Sequence, residues 1–314
     1  MYINRISHYI PDTVIKNDYF TSLNSLTDEW IIERTGIHER RKTAVGENTN
    51  TMAIEAVNLL LSEEEYGESE IDLIVGATYT PYDMIVTMAH AVQHRLGLSD
   101  IPVVTISSAC SSFLNAIEVV EGYFALGKAE RALVIVSDNN TAYYNESDIT
   151  SGHLWGDGAA AILISKERRL ESDMHIKKII TGGAGTAGKS IDAVVLRPNE
   201  RGIIMPHGRD VFLNACVYMP KVSLQLLLAC DLTIADIDYL IPHQANRRIS
   251  LNVINTLQIP PEKLLSNIEY LGNTGCAGCA IVLSENMEKF NKGDNIVVTV
   301  FGGGYSYGAM LVTV

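Results

Sequence analysis

At 314 residues the chain is long enough for one large domain, or two fused halves, around a sizeable core. Hydrophobic residues make up 47% and charged ones 19%, the balance of a soluble globular protein, and the formal net charge of −13 argues against broad nucleic-acid binding. Five cysteines form no framework, the N-terminus carries no signal-peptide core, and no 18-residue apolar run suggests a membrane span. The expectation is a cytoplasmic protein with free thiols and no membrane contact.

Met1 to Ile10 reads as a strand that turns at Pro11-Asp12. Thr27-Asp-Glu-Trp30 opens a helix whose acidic first turn suits its positive end, and Thr35-Gly36 closes it. Glu39 to Lys42 is a charged strand or loop, by default a solvated face. Thr49 to Leu61 is an amphipathic helix, and Ser62 to Glu70 an acidic, exposed connection. Ile71 to Thr78 is a buried strand, Tyr79 to Thr87 a loop and Met88 to Leu96 a helix. Val103 to Ile106 is a β-branched strand, and Phe113, Ile117 and Val120 at helical spacing predict a helix after it. Cys110 sits at that junction among small residues. A tight strand-to-helix turn would hold its sulfur at a helix N-terminus, where unpaired N–H groups favour the thiolate. The competing reading is an inert core cysteine.

Ala132 to Ser137 and Ala159 to Ser165 are buried strands separated by a polar loop over Ser147 to Gly158. The second half then repeats the plan of the first. Ile71-Asp-Leu-Ile-Val-Gly matches Ile237-Asp-Tyr-Leu-Ile-Pro, and Arg131-Ala-Leu-Val-Ile-Val matches Asn295-Ile-Val-Val-Thr-Val. Gly158-Ala-Ala-Ala-Ile-Leu-Ile matches Gly308-Ala-Met-Leu-Val-Thr-Val, and the Cys110 elbow matches the turn at Asn273. These pairs keep their order at offsets of 150 to 166 residues. Two α/β halves are therefore expected, 1–171 with the nucleophile elbow and 172–314 as a connection plus the second half. A pseudo-twofold arrangement would bring Cys110 to His243, at the tip of the strand Asp238 to Pro242, and to Asn273 in a glycine-bracketed turn. The glycine-rich stretch Ser172 to Met205 would cover the site.

Two motifs compete for attention. Gly183-Ala-Gly185-Thr-Ala-Gly188 has the spacing of a dinucleotide-binding loop, but Ile191 to Leu196 reads as a strand where that loop requires a helix. Cys276-Ala-Gly-Cys279 has no second pair, so small core residues are a better reading than a metal site.

Taken together, Asp28-Glu-Trp-Ile-Ile-Glu-Arg-Thr-Gly-Ile37, the Ala-Cys110 elbow, Gly156-Asp-Gly-Ala159, Pro242-His-Gln-Ala-Asn246, Gly272-Asn-Thr274 and Phe301-Gly-Gly-Gly304 resemble β-ketoacyl-acyl carrier protein synthase III, of the thiolase superfamily. The resemblance implies an α/β fold, the five-layered αβαβα thiolase fold built from two duplicated halves, and a homodimer. It implies an acyltransferase without metal or redox cofactor, in which an acyl-CoA or acyl carrier protein acylates Cys110. A decarboxylative Claisen condensation with a malonyl- or β-ketoacyl-carrier protein would follow, in fatty-acid initiation or a specialised secondary pathway. His243 and Asn273 would hold the acceptor's thioester carbonyl, and the N–H groups of Cys110 and Gly303 would form the oxyanion hole. Trp30, Arg34, Gly208, Asn246 and Phe301 would contact substrate or CoA. Ile85, in the loop Tyr79 to Val86, would cap the acyl pocket across the dimer. Arg247 and Arg248 would dock carrier protein.

The chain departs from that pattern in places. Serines flank Cys110, Ile149 stands where an arginine would complete the adenine clamp, and Asn255 and Thr256 replace docking lysines. Rival readings are acyl transfer to oxygen, a non-catalytic ketosynthase partner subunit, and a cysteine hydrolase. The hydrolase reading rests on the order Cys110, His243, Asn273, but the local papain signature is absent.

Overall fold

The computed structural model describes residues 1–62 and 70–314; most of the expected acidic connection from Ser62 to Glu70 lies outside the described residues. The first half runs β1 (Tyr2–Tyr9), β2 (Thr13–Lys16), α1 (Asn17–Asn24), α2 (Asp28–Thr35), β3 (Glu39–Lys42), α3 (Thr49–Leu60), β4 (Leu73–Ala77), α4 (Met88–Leu96), β5 (Val103–Ile106), α5 (Ser112–Ala125), β6 (Arg131–Asn139) and β7 (Asp157–Ser165). The second runs β8 (Met174–Gly183), α6 (Ser190–Ala193), β9 (Val195–Arg197), β10 (Gly202–Ile204), α7 (Gly208–Ala229), β11 (Tyr239–Pro242), α8 (Arg247–Leu257), α9 (Ile268–Leu271), α10 (Gly278–Glu285), β12 (Asn295–Gly302) and β13 (Ser306–Thr313).

Nine strands form one hydrogen-bonded sheet in the order β11-β12-β13-β8-β1-β7-β6-β4-β5. The halves meet where β1 pairs with β8 at only two positions, Tyr2 with His175 and Ile3 with Met174. On one side β4 runs parallel to β6, which is antiparallel to β7. On the other β11 runs parallel to β12, which is antiparallel to β13. In the first half β5 pairs parallel with β4 and leads to the Cys110 elbow. Its counterpart is a single parallel bridge, Leu264 to Leu240, before the Asn273 turn. The duplication read from four short matches is thus a duplication of topology.

Alternation along each strand builds five layers, because successive side chains leave opposite faces of a sheet. Leu73, Val75 and Ala77 of β4 and Val298 and Val300 of β12 face a shared central core with Phe113 and Ile117 of α5 and Ala280 of α10. Ile74 and Leu133 face outward onto Met52 and Val57 of α3 and Val92 of α4. Val297 and Leu311 face the other way, onto Met219, Val222 and Leu226 of α7 and Val253 of α8. The outer helix α7 does satisfy a membrane span in length and hydropathy, which the sequence reading had not anticipated. That apolar content is partly the face it packs on the sheet.

Several expectations need correction. β2 and α1 were not anticipated. β2 pairs with β3, so Glu39 to Lys42 is half of a small ribbon, and Arg40 in it is buried rather than solvated. β6 extends to Asn139 and β7 begins at Asp157, because Asp138 and Asn139 continue the ladder opposite Gly158 and Asp157. The stretch Ser172 to Met205 is not only a connection: β8 within it is a full sheet strand. After the glycine motif the chain forms the four-residue helix α6, not a strand from Ile191; the strand β9 is Val195–Arg197. A single turn lacks the long helix on which dinucleotide phosphates rest.

Candidate active site

The elbow forms because Ala109 adopts a left-handed conformation, φ 49°, and reverses the chain between β5 and α5. Its serines close the turn. Ser112 Oγ donates to the Ala109 carbonyl at 2.6 Å and accepts from the Ser108 N–H at 2.7 Å, while Ser111 Oγ donates to the Ser108 carbonyl at 2.8 Å. Gly302, at the end of β12, lies flat against the nucleophile: a Cβ there would stand 2.7 Å from the Cys110 nitrogen. That close approach is why the Phe301-Gly-Gly-Gly segment carries glycine beside the elbow.

His243 follows β11, and its backbone N–H donates to the Thr299 carbonyl at 2.8 Å. Gln244 locks the next turn: its amide nitrogen donates to Pro242 O, and its oxygen accepts from Ser266 Oγ and the Asn267 N–H. Asn273 is fixed by a reciprocal bridge with the other half. Its N–H donates to Leu154 O at 2.8 Å and its carbonyl accepts from the Gly156 N–H at 3.0 Å. The Asn273 side-chain oxygen accepts from the Gly275 N–H at 3.0 Å, which leaves the amide nitrogen as the free donor. Gly156 is demanded here, since a Cβ would fall 2.0 Å from Leu271 O. Buried Arg40 supports the same turn from beneath, its guanidinium donating to Ile15 O, Asn17 Oδ1 and His153 O.

Cys110, His243 and Asn273 line one pocket of ≈ 420 Å³, with Phe301, Gly302 and Gly303 and the apolar Met205, Ala215 and Met219. A second pocket of ≈ 480 Å³ is lined by Cys110, Tyr79, Ser107, Trp155, Leu196 and Gly303 among others. Cys110 thus borders two pockets.

Burial sets the electrostatics. It pushes the Cys110 thiol up to about 12, with the Asp138 carboxylate adding to the rise; the N–H groups of Gly303 and Cys110 and the Tyr79 phenol oppose it. At neutral pH the buried cysteine is therefore a thiol, the reverse of the thiolate expected from the helix N-terminus: desolvation outweighs the dipole. Burial also lowers His243 to about 4, so its imidazole is neutral at neutral pH. Asp138, itself raised by burial, accepts from Thr78 Oγ1, the Tyr79 N–H, Thr80 Oγ1 and the Cys276 N–H. It ties the end of β4 to the turn after Asn273. Asp138, Tyr79 and Trp155 were missed in the sequence; an acid closing an all-apolar strand was the one available signal.

The other expected residues fall in varied places. Phe301 is buried beside the pocket and packs on Tyr218 and Tyr305. Arg34 stacks on Trp30 at 4.3 Å, and Trp30 meets His153 edge-on, while Ile149 is exposed. Asn246 caps α8, accepting from the Arg248 N–H, and donates to Arg34 O at 3.0 Å. Gly208 is the first residue of α7, where a Cβ would stand 3.3 Å from the Met205 sulfur. Ile85 is 87% exposed on the loop after β4, and Asp83 Oδ1 accepts from its N–H. Arg247 and Arg248 are exposed on the first turn of α8; Arg247 pairs with Glu269 at 3.1 Å and Arg248 lies over Phe212. Cys276 and Cys279 are free, buried core thiols.

Known proteins share this fold. The family described as 3-Oxoacyl-[acyl-carrier-protein (ACP)] synthase III matches residues 104–183, and its C-terminal part matches residues 227–314. A β-ketoacyl-[acyl-carrier-protein] synthase III of Clostridium perfringens (strain SM101 / Type A) is 35% identical over 315 residues, covering 97% of this chain and 96% of its own. The crystal structure of 3-oxoacyl-[acyl-carrier-protein] synthase III from Aquifex aeolicus VF5 superposes with a TM-score of 0.92 at 31% identity, covering 100% of this chain and 99% of that one. The priming β-ketosynthase of the R1128 polyketide pathway superposes at 0.89 with 25% identity, covering 99% and 95%. With the duplicated thiolase fold and these matches along its length, the chain belongs to the β-ketoacyl-acyl carrier protein synthase III family.

Proposed function

We propose that this chain is a condensing acyltransferase that joins an acyl thioester to a malonyl- or β-ketoacyl-carrier protein through an acyl-Cys110 intermediate. The observation that carries the reading is the convergence of Cys110, His243, Asn273 and Gly303 on one pocket. In the first half-reaction the Cys110 sulfur attacks the donor carbonyl, a C–S bond forms, and the carrier leaves as a thiol that takes the cysteine proton. The N–H groups of Cys110 and Gly303 hold the tetrahedral oxyanion. With a malonyl acceptor, loss of carbon dioxide then leaves an electron pair on the acceptor's α-carbon. Neutral His243 and the free Asn273 amide nitrogen donate to the acceptor carbonyl as it becomes an enolate, whose carbon attacks the acyl-Cys and expels the Cys110 thiolate, which takes a proton from water. The bonds made and broken require no metal or redox cofactor.

Trp30 with stacked Arg34 would receive the CoA nucleotide, and Phe301, Gly208 and Asn246 would shape the carrier arm's path. Arg247 and Arg248 would meet an acidic carrier protein. We place the boundary between halves at residues 171 and 172, in the turn between β7 and β8. A cytoplasmic homodimer fits the family, and β5 offers an unpaired sheet edge beside the exposed apolar loop of Tyr82, Met84 and Ile85. In such a dimer Ile85 would cap the partner's acyl pocket.

Intact-protein mass after incubation with acyl-CoAs and acyl carrier proteins tests the reading. A single acyl adduct, absent in Cys110→Ser and discharged by malonyl-carrier protein into a β-ketoacyl product, is the expected result. An adduct that discharges in water alone indicates a hydrolase, and no adduct from any donor indicates a silent partner subunit.

A further inference from the structure

β12 and β13 are joined by a three-residue turn, Gly303-Gly304-Tyr305, closed by the pair Gly302 and Ser306. The Gly303 N–H, the second oxyanion donor of the reading above, lies in that turn. Two successive glycines carry no side chain that could fix their dihedrals, so the direction of this N–H needs a restraint from outside. The far end of the turn is pinned. The Tyr305 phenol donates to Asp210 Oδ2 at 2.7 Å, and the Tyr305 carbonyl accepts from the Ala184 N–H at 2.7 Å. Those bonds hold the turn to α7 and to the chain after β8, not to the elbow.

Ser306 makes the link to the elbow. Its hydroxyl oxygen stands 2.9 Å from the Ser108 carbonyl and 3.2 Å from the Gly303 carbonyl, and its one proton is shared between them. The first carbonyl belongs to the elbow that presents the Cys110 N–H. The second belongs to the residue that presents the other N–H, and both N–H groups reach the Cys110 sulfur. The Ser108 carbonyl also accepts from the Ser111 N–H at 3.2 Å and from Ser111 Oγ at 2.8 Å, so the elbow stays closed without Ser306. The Ser306 hydroxyl therefore takes its bearing from the elbow and acts on the Gly303 side.

We infer that Ser306 is a positioning residue, whose hydroxyl sets the separation of the two oxyanion donors by tying the Gly303 carbonyl to the elbow. Donors fixed in advance stabilise an oxyanion as it forms, and a donor that must first turn toward it stabilises it less. Without the hydroxyl the peptides on either side of Gly303 are free to rotate, and the hole loses its aim but keeps both N–H groups. Substrate binding, which does not use the hole, is untouched. The inference rests on the acyl-Cys110 reading above and adds a residue of the other half on which the acylation rate depends.

The test follows single-turnover adduct formation on Cys110 by quenched-flow and intact-protein mass, in the full chain and three variants. The donor is the one that acylates the wild type fastest among acetyl- to octanoyl-CoA and the same acyl groups on carrier protein. Ser306→Ala is expected to lower the maximal acylation rate by about tenfold, less than the loss of a whole donor, and to leave the half-saturating donor concentration within about twofold of wild type. Ser306→Thr and Ser306→Val have nearly the same shape and differ in the hydroxyl. The threonine variant should acylate about tenfold faster than the valine variant, whatever the added methyl costs both. This pair carries the test alone if thermal melts show that Ser306→Ala does not fold. A Ser306→Ala rate equal to wild type, a loss that sits in the half-saturating concentration, or equal rates in the threonine and valine variants overturns the inference while leaving the acyl-enzyme intact. No wild-type adduct from either CoA or carrier-protein donors overturns the function reading and this inference with it.

Discussion

The Cys110 elbow and the Asn273 turn occupy the same place in the two halves, yet they are built by different means. The elbow follows a four-residue strand, turns at left-handed Ala109, and starts the 14-residue α5. The Asn273 turn follows a single bridge, turns at Gly272 and Gly275 with φ of 65° and 63°, and starts a 3₁₀ turn before the eight-residue α10. The elbow is locked mainly by its own serines, with one bond from the other half, Ser306 Oγ to Ser108 O at 2.9 Å, whereas the Asn273 turn is locked by Leu154 and Gly156 of the other half. At the nucleophile the local turn supplies one N–H, that of Cys110, and the second comes from Gly303 just past the end of β12. A donor that must aim at the nucleophile's substrate has to be positioned relative to the first half, so its restraints come from there.

That contrast predicts how each side breaks. Cys110→Ser should abolish the acyl adduct outright by mass spectrometry. Asn273→Ala and His243→Ala should each lower condensation by about 10²- to 10³-fold, the cost of removing a donor from a developing oxyanion, while the adduct still forms. If either variant loses the adduct as well, the division of labour between the halves is wrong. Gly156→Ala should push the Asn273 turn away from Leu271 O and lower stability by about 1–3 kcal/mol, with condensation falling more than acylation. Equal losses in the two steps would mean that the bridge holds both centres.

pH should separate the halves again. Because Cys110 is held up near 12, thiolate rises with pH throughout the working range, and acylation should speed up by about tenfold per pH unit from 6 to 9. A flat profile would show that a base takes the thiol proton in the rate-limiting step. Discharge by the acceptor should stay level down to about pH 5, because His243 is neutral above about 4. The same shift bears on stability. The unfolded imidazole takes a proton near 6.5 and the folded one does not, so His243 makes unfolding easier as pH falls from 6.5 toward 4. His243→Gln should flatten that dependence in thermal melts. The smallest effect expected is Asn246→Ala, about 1 kcal/mol for the lost cap of α8.

The sequence by itself determined the duplicated halves and the three residues on which the proposed chemistry rests. Buried strands announce themselves as β-branched runs; Cys110 and His243 follow such runs, and Asn273 sits in a turn bracketed by Gly272 and Gly275 after α9. Those are local properties, and local sequence encodes them. Only the tertiary structure decided that Cys110 is a thiol, since desolvation depends on what packs over the sulfur and not on the helix that follows it. It alone showed that Arg40 is buried against the Asn273 turn, that Asn246 caps α8, and that Tyr79 lines the pocket beside Cys110. Tyr79 reads as the first residue of a loop because its partners, Asn140 and Asp138, lie about sixty residues away. Contacts at that separation arise from the parallel pairing of β4 and β6 in the sheet, and no periodicity within either segment records them.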